Sequence, residues 1–242
     1  MTRRQGTNSE KTKRSLIEAA THEFAEYGYA KASLRRICSN CDLTTGALYF
    51  FFDNKEDLFR SVIEPVTSEI VAITERHFAT ESERMKKNLG SNRANDLAAA
   101  GEFLDAFYDN AEVGFIILSN RDCPLIARFF DLLIKLMATQ IRRFAGSVYG
   151  TIPPESAMNE HTILWFAYSQ LNIAIHVLSH SLTREEAERQ LHIMTRVLRK
   201  GLLTVIDIDA ENGLISNTGE NAAYLRLVRD HLSGPRLGLK NP

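Results

Sequence analysis

At 242 residues, 44% of them apolar, the chain can bury one large core or two smaller ones. No apolar run exceeds six residues, the length of 163–168, which is far below the roughly 18 residues of a membrane span, no apolar segment follows the basic start as in a signal peptide, and three cysteines make no disulfide framework, so a soluble, cytoplasmic protein is expected. The net charge of −1 speaks against a nucleic-acid binder, yet residues 1–36 carry eight Lys or Arg against four Glu, whereas residues 61–242 carry 19 against 22 Asp or Glu: a basic head precedes an acidic body.

Apolar residues recur every three or four positions and nowhere alternate by two, which predicts an all-α chain. A first helix is expected over 9–27, with Leu16, Ile17, Ala20, Phe24 and Tyr27 on one face and Gly28 as its stop. Ser33 suits the cap of a short second helix that turns Leu34, Ile37 and Cys38 inward. Asp42, a residue that tolerates a left-handed backbone, marks a turn. Thr44 caps a third helix containing Leu48, Tyr49 and Phe52, and Asn54 caps a fourth. The fourth is expected over 55–78, with Pro65 kinking it. Residues 81–95 read as a loop. Helical spacing resumes over 96–108 and 111–119, then over 125–149, 155–181 and 184–206. The tail is polar apart from a short helix candidate at 221–232. This places a head over 9–70, a helical body over 71–208 and a tail over 209–242.

Two short helices joined by a tight turn, with further helices packed beneath, form a helix-turn-helix. The helix starting at Thr45 is small enough to enter a major groove. Thr44 and the N–H groups at its start offer donors to a phosphate. Gly46 costs a helix about 1 kcal/mol relative to Ala, and close backbone approach to DNA is a plausible return. The phenol of Tyr49 can reach a phosphate while its ring packs inward. Ser33 and Arg35 are placed to reach the flanking backbone or a base edge, and Lys55 to clamp a phosphate. Arg3, Arg4, Lys11, Lys13 and Arg14 make a basic arm that either follows DNA or stays solvated.

The run Ile17-x-x-Ala20-x-x-x-Phe24-x-x-x-Gly28-Tyr29, then Ser33-Leu34-x-x-Ile37, then Leu43-Thr44-Thr45-Gly46-Ala47-Leu48-Tyr49-x-x-Phe52-x-x-Lys55-x-x-Leu58 resembles the DNA-binding domain of the tetracycline-repressor (TetR) family. The resemblance covers about residues 9–70. It implies a three-helix helix-turn-helix head on a helical-bundle effector and dimerisation domain. It implies a homodimer on double-stranded DNA with a palindromic operator, and repression released by a small-molecule effector. The positions that match the family's DNA contacts are Ser33, Arg35, Thr44, Thr45, Gly46, Ala47, Tyr49 and Lys55. Cys38 stands where Ala is usual, Asp42 where Gly is usual, and Phe51 where His is common. The body beyond residue 70 carries no such resemblance.

Phe103, Phe107, Phe129, Phe130, Trp165 and Tyr168 are candidates to line a pocket for an apolar or aromatic effector, or else plain core. The helix over 155–181 is apolar nearly all round, which points to burial against a partner subunit or at the centre of one subunit. Cys38-x-x-Cys41 lacks a second pair of zinc ligands and fits a compact core, and His176 and His180 fit a core or interface. No metal and no cofactor are expected. No catalytic motif of the GxSxG, HExxH, GxGxxG or phosphate-loop kind occurs, so no enzyme is expected. The alternative is a DNA-binding regulator with no small-molecule effector that responds to redox state or to a protein partner.

Overall fold

The computed structural model describes residues 3–87, 93–180 and 183–215. Among them the chain forms nine helices and no strand: α1 (Arg3–Lys31), α2 (Leu34–Asn40), α3 (Thr45–Phe51), α4 (Lys55–Lys86), α5 (Arg93–Tyr108), α6 (Ala111–Ser119), α7 (Pro124–Tyr149), α8 (Glu160–Ser179) and α9 (Arg184–Glu211). None of these helices is long and apolar enough to cross a membrane. The chain divides into two compact units. One runs to Val71 and takes in Asp105–Phe130; the other takes Ala72–Leu104 and the chain from Asp131 on.

The head's stops and caps follow from local chemistry. Gly28, at φ 71°, breaks helical geometry where only a residue without Cβ is comfortable. The Ser33 side-chain oxygen accepts from the Arg36 N–H, and that of Thr44 from the Ala47 N–H. Asp42 takes φ 55°, with Leu43 N–H donating to Cys38 O at 2.9 Å and Asp42 N–H to Ser39 O at 3.3 Å. That pair of bonds around a left-handed residue is a Schellman stop, which ends α2 and turns the chain toward α3. Asn54 Oδ1 accepts from Asp57 N–H at 2.9 Å and opens α4.

Leu16, Ala20 and Phe24 of α1, Ile37 of α2, Leu48 of α3 and Leu58 and Phe59 of α4 are fully buried in the first unit. Phe24 meets Phe59 edge-on at 4.8 Å. Helix α6 belongs to the same unit and packs on α1. There Tyr29 N–H donates to Asn120 Oδ1 at 2.7 Å, and Gly114 leaves room for the Phe107 ring, whose atoms lie 2.6 Å from where a Cβ would stand.

One buried acid fixes the angle between α1 and α2. Glu23, 2% exposed, accepts from the Arg36 guanidinium through both oxygens and from Ser33 N–H at 2.7 Å. The same guanidinium donates to Lys31 O at 3.1 Å and lies 4.2 Å over the Tyr27 ring. Burial alone would raise the Glu23 carboxyl; the Arg36 and Ser33 bonds outweigh it and hold the pKa below its ordinary value.

In the second unit α8 packs on α9, with Ile163, Phe166, Ala167 and Leu171 buried on the former and Ala187, Leu203 and Ile206 on the latter. Helix α9 opens on a capping box between Thr183 and Glu186. Near its end Asp209, 1% exposed, accepts from Tyr149 O–H at 2.7 Å, Ser156 O–H at 2.5 Å and Ala157 N–H at 2.9 Å. Arg199 grips Asp96 with two N–H groups, and His77 Nε2 lies 3.6 Å from the same carboxylate.

Several helix bounds differ from the spacing. Helix α1 begins at Arg3, not at 9, and α4 continues to Lys86, so residues 81–86 and 93–95 of the expected loop over 81–95 are helical. Helix α8 starts at Glu160 on the Asn159 cap, five residues late, because the stretch before it is bound to Asp209. Helix α9 runs on to Glu211, five residues beyond the expected 206, with Asp209 facing inward. The helix candidate at 221–232 lies outside the described residues.

Two outcomes are expected. Asp209→Ala strands three donors and should lower the urea unfolding free energy by about 3 kcal/mol, whereas a substitution at an exposed residue such as Glu211→Ala should cost less than about 0.5. Glu23→Gln should cost about 1–3 kcal/mol at neutral pH. Because the folded carboxyl is the stronger acid, its contribution is complete above the ordinary glutamate pKa and disappears as pH falls through the lowered one. The difference between the parent chain and Glu23→Gln should therefore shrink as pH falls below the ordinary glutamate pKa in acid titrations of stability.

Candidate nucleic-acid interface

Helix α3 has two turns, too few to be stable alone. Its order comes from Leu48 and the following Phe52, both buried, which press one side against the head core. The opposite side carries Thr45, Gly46, Tyr49 and Phe50, all exposed, with Thr44 and Arg35 exposed before it. Spacings of four place Thr45 below Tyr49 and Gly46 below Phe50, in adjacent rows of one stripe. Ala47 and Ser33 are half-buried at its margins.

Gly46 has no internal cause. A Cβ built there would meet only Thr44 Oγ1, at 3.7 Å, which is ordinary contact, and its backbone is not left-handed. Nothing within the fold therefore calls for a glycine at this position, and its effect is to flatten the outward surface.

The basic residues separate into committed and free. Arg36 is committed to Glu23, and Lys13 lies 5.6 Å over the Phe52 ring. Lys55 donates to Ala30 O at 3.1 Å and stands 5.1 Å over the Tyr29 ring. Burial depresses its pKa, partly opposed by the charge of Glu23. Lys55 thus ties the start of α4 to the end of α1, and one of its three donors is spent in doing so. Arg35 is exposed. Tyr49 differs from expectation: its ring is 56% exposed and does not pack inward.

Of the residues singled out by sequence, Ser33, Arg35, Thr44, Thr45, Gly46, Ala47 and Tyr49 come together on or beside this stripe, and Lys55 sits behind it. Sequence reasoning passed over Glu23, although its register on the inner face of α1, beside Ala20 and Phe24, is the signature of a buried pair; Tyr27, expected on that face, is 40% exposed. It also passed over Phe50, 78% exposed, because an aromatic run reads as core.

The cysteines form no disulfide. Cys38 is buried, and Cys41 donates to Ile37 O at 3.2 Å. Burial, more than any neighbouring charge, raises both thiols above their ordinary pKa. Among the described residues no group of three or more His, Cys, Asp or Glu is arranged to hold a metal ion. His180 Nδ1 lies 2.5 Å from the carbonyl of His176. Of the aromatic candidates, Phe107 and Phe129 are buried and Phe103 and Phe130 half-buried, while Trp165 and Tyr168 stand 60% and 50% exposed on α8. The expected burial of α8 on every side is thus not met within one chain.

Residues 16–62 match the family described as bacterial regulatory proteins, tetR family. The A-factor receptor protein of Streptomyces griseus is 37% identical over 59 residues, which is 24% of this chain and 21% of that protein. The HTH-type transcriptional regulator UidR of Escherichia coli K12 is 35% identical over 57 residues, 24% of this chain and 29% of that one. The chain therefore matches less than a third of the length of these curated relatives. The solved structure of SmeT, the repressor of the Stenotrophomonas maltophilia multidrug efflux pump SmeDEF, covers 78% of this chain and 89% of its own at a TM-score of 0.54 and 16% identity, a likeness of fold. The family match thus falls on the helix-turn-helix just described and makes residues 16–62 a head of the TetR type.

Proposed function

We propose that this chain binds a specific DNA sequence and regulates transcription, most simply as a homodimeric repressor on a palindromic operator. The observation that carries this reading is the α3 stripe, where a helix held only from behind presents Thr45, Gly46 and Tyr49 outward and Gly46 serves no packing need. Arg35 and Thr45 are the base-reading candidates, Tyr49 and Thr44 hold the backbone, and Gly46 admits close approach. Ser33, Ala47 and Lys55 support the same surface, Lys55 with its remaining donors.

The apolar side chains Trp165 and Tyr168 on α8 and Ile193 and Val197 on α9 are exposed in the single chain, which favours a partner copy covering them. Release by a small molecule is the regulatory step we favour, and it draws support from a relative, matched over 59 residues, that is named A-factor receptor protein. Phe107, Phe129 and Phe130, which share the first unit, are the proposed contacts for an apolar or aromatic effector. The redox alternative draws little from Cys38 and Cys41, since thiols pushed up by burial are poor nucleophiles.

Selection of bound duplexes from a random pool, repeated with apolar ligands present, tests the whole reading. A recovered palindrome released by one ligand class supports it, and no enrichment of any sequence overturns it. Affinity for the recovered site should fall steeply with salt, as counterion release requires. Gly46→Ala should leave the melting temperature unchanged or higher, since it removes a helix penalty of about 1 kcal/mol. The same change should weaken operator binding at least tenfold; undiminished affinity would show that the stripe does not meet DNA. Tyr49→Ala should weaken operator and random DNA alike, whereas Arg35→Ala or Thr45→Ala should alter the preferred sequence, checked by repeating the selection with each variant.

A further inference from the structure

Phe50 is 78% exposed, more than any other large apolar side chain among the described residues. Water is a poor environment for a phenyl ring, and nothing in the first unit covers this one. Its place is specific. It stands four residues after Gly46, in the same row of the α3 stripe, so the ring projects where the preceding turn has no side chain. Phe51 meets it edge-on, with centroids 5.0 Å apart and planes at 89°, and so braces the ring from one side.

A phenyl ring has neither donor nor acceptor, so it cannot read the hydrogen-bonding edges of bases. Among the groups that the four bases present in the major groove, the C5-methyl of thymine is the apolar one. Resting on the DNA-binding reading above, we infer that Phe50 is a specificity-determining residue that packs against the C5-methyl of one thymine in each half-site. Gly46 allows the helix to come close enough, and the row that Gly46 and Phe50 share delivers the ring to the base edge rather than to the phosphates. Tyr49 occupies the neighbouring row and leaves the phosphate to its phenol.

Replacement of single thymines by deoxyuridine removes the methyl group and leaves every hydrogen-bonding group in place. Sites are first selected from a random duplex pool with the full chain, and each thymine is then replaced in turn. The full chain should lose about three- to fivefold in affinity at one thymine per half-site, the worth of one buried methyl group. Phe50→Ala should bind the thymine and uridine duplexes alike, at the lower affinity, and Phe50→Leu should retain part of the discrimination. An unchanged melting curve for Phe50→Ala, expected from its exposure, establishes that the variant is folded. Indifference of the full chain to uridine at every thymine overturns the role of Phe50, as does a uridine cost that persists in Phe50→Ala. Both results leave DNA binding standing. Recovery of no sequence from the pool removes the DNA-binding reading itself.

Discussion

The geometry of the head depends on the Glu23 carboxylate. It reaches from α1 to the Arg36 guanidinium of α2 and to the Ser33 N–H at the helix start, and so fixes α2 in both position and angle. The Schellman turn at Asp42 then carries that placement to α3. A buried acid would ordinarily be costly; here its lone pairs are met by charged and backbone donors, which makes it directional where apolar packing is not. Lys55, reaching back to Ala30 O, closes the arrangement from the side of α4. Four helices are thus set by polar bonds at their ends and by Phe24, Leu48, Phe52 and Phe59 between them.

The division between charges that build and charges that face solvent has a functional side. Arg35 and Arg36 are neighbours in sequence and equal in formal charge, yet only Arg35 is left free to meet a partner. A basic excess counted over residues 1–36 therefore overstates the charge available at the surface. Lys13 and Lys55, lying over aromatic rings, reduce it further.

Elements with local causes were legible before the structure. Gly28, Ser33, Asp42, Thr44 and Asn54 each impose a stop or a cap through their own chemistry, and each acts at its expected position. Helix α6 matched its expected bounds, ending where the Asn120 side chain donates to Ile116 O at 2.9 Å. The misplaced ends have distant causes. Helix α8 starts late and α9 ends late because Asp209 recruits Tyr149, Ser156 and Ala157, partners 52 to 60 residues away in the chain. No window of eighteen residues contains both sides of that contact. The reading surface followed the same pattern: Thr45, Gly46 and Tyr49 were visible through spacing, whereas Phe50 and the exposed Trp165 required knowledge of what does not cover them.

Helix α3 keeps its supports and its outward stripe on opposite sides. Leu48 and Phe52 hold the helix in place, and neither lies in the four-spaced rows Thr45–Tyr49 and Gly46–Phe50. Changes in the outward rows leave the core undisturbed, so selection on partner preference and selection on folding act on separate residues. A lineage built on this helix can drift to new binding sites one exposed position at a time, without passing through an unfolded ancestor.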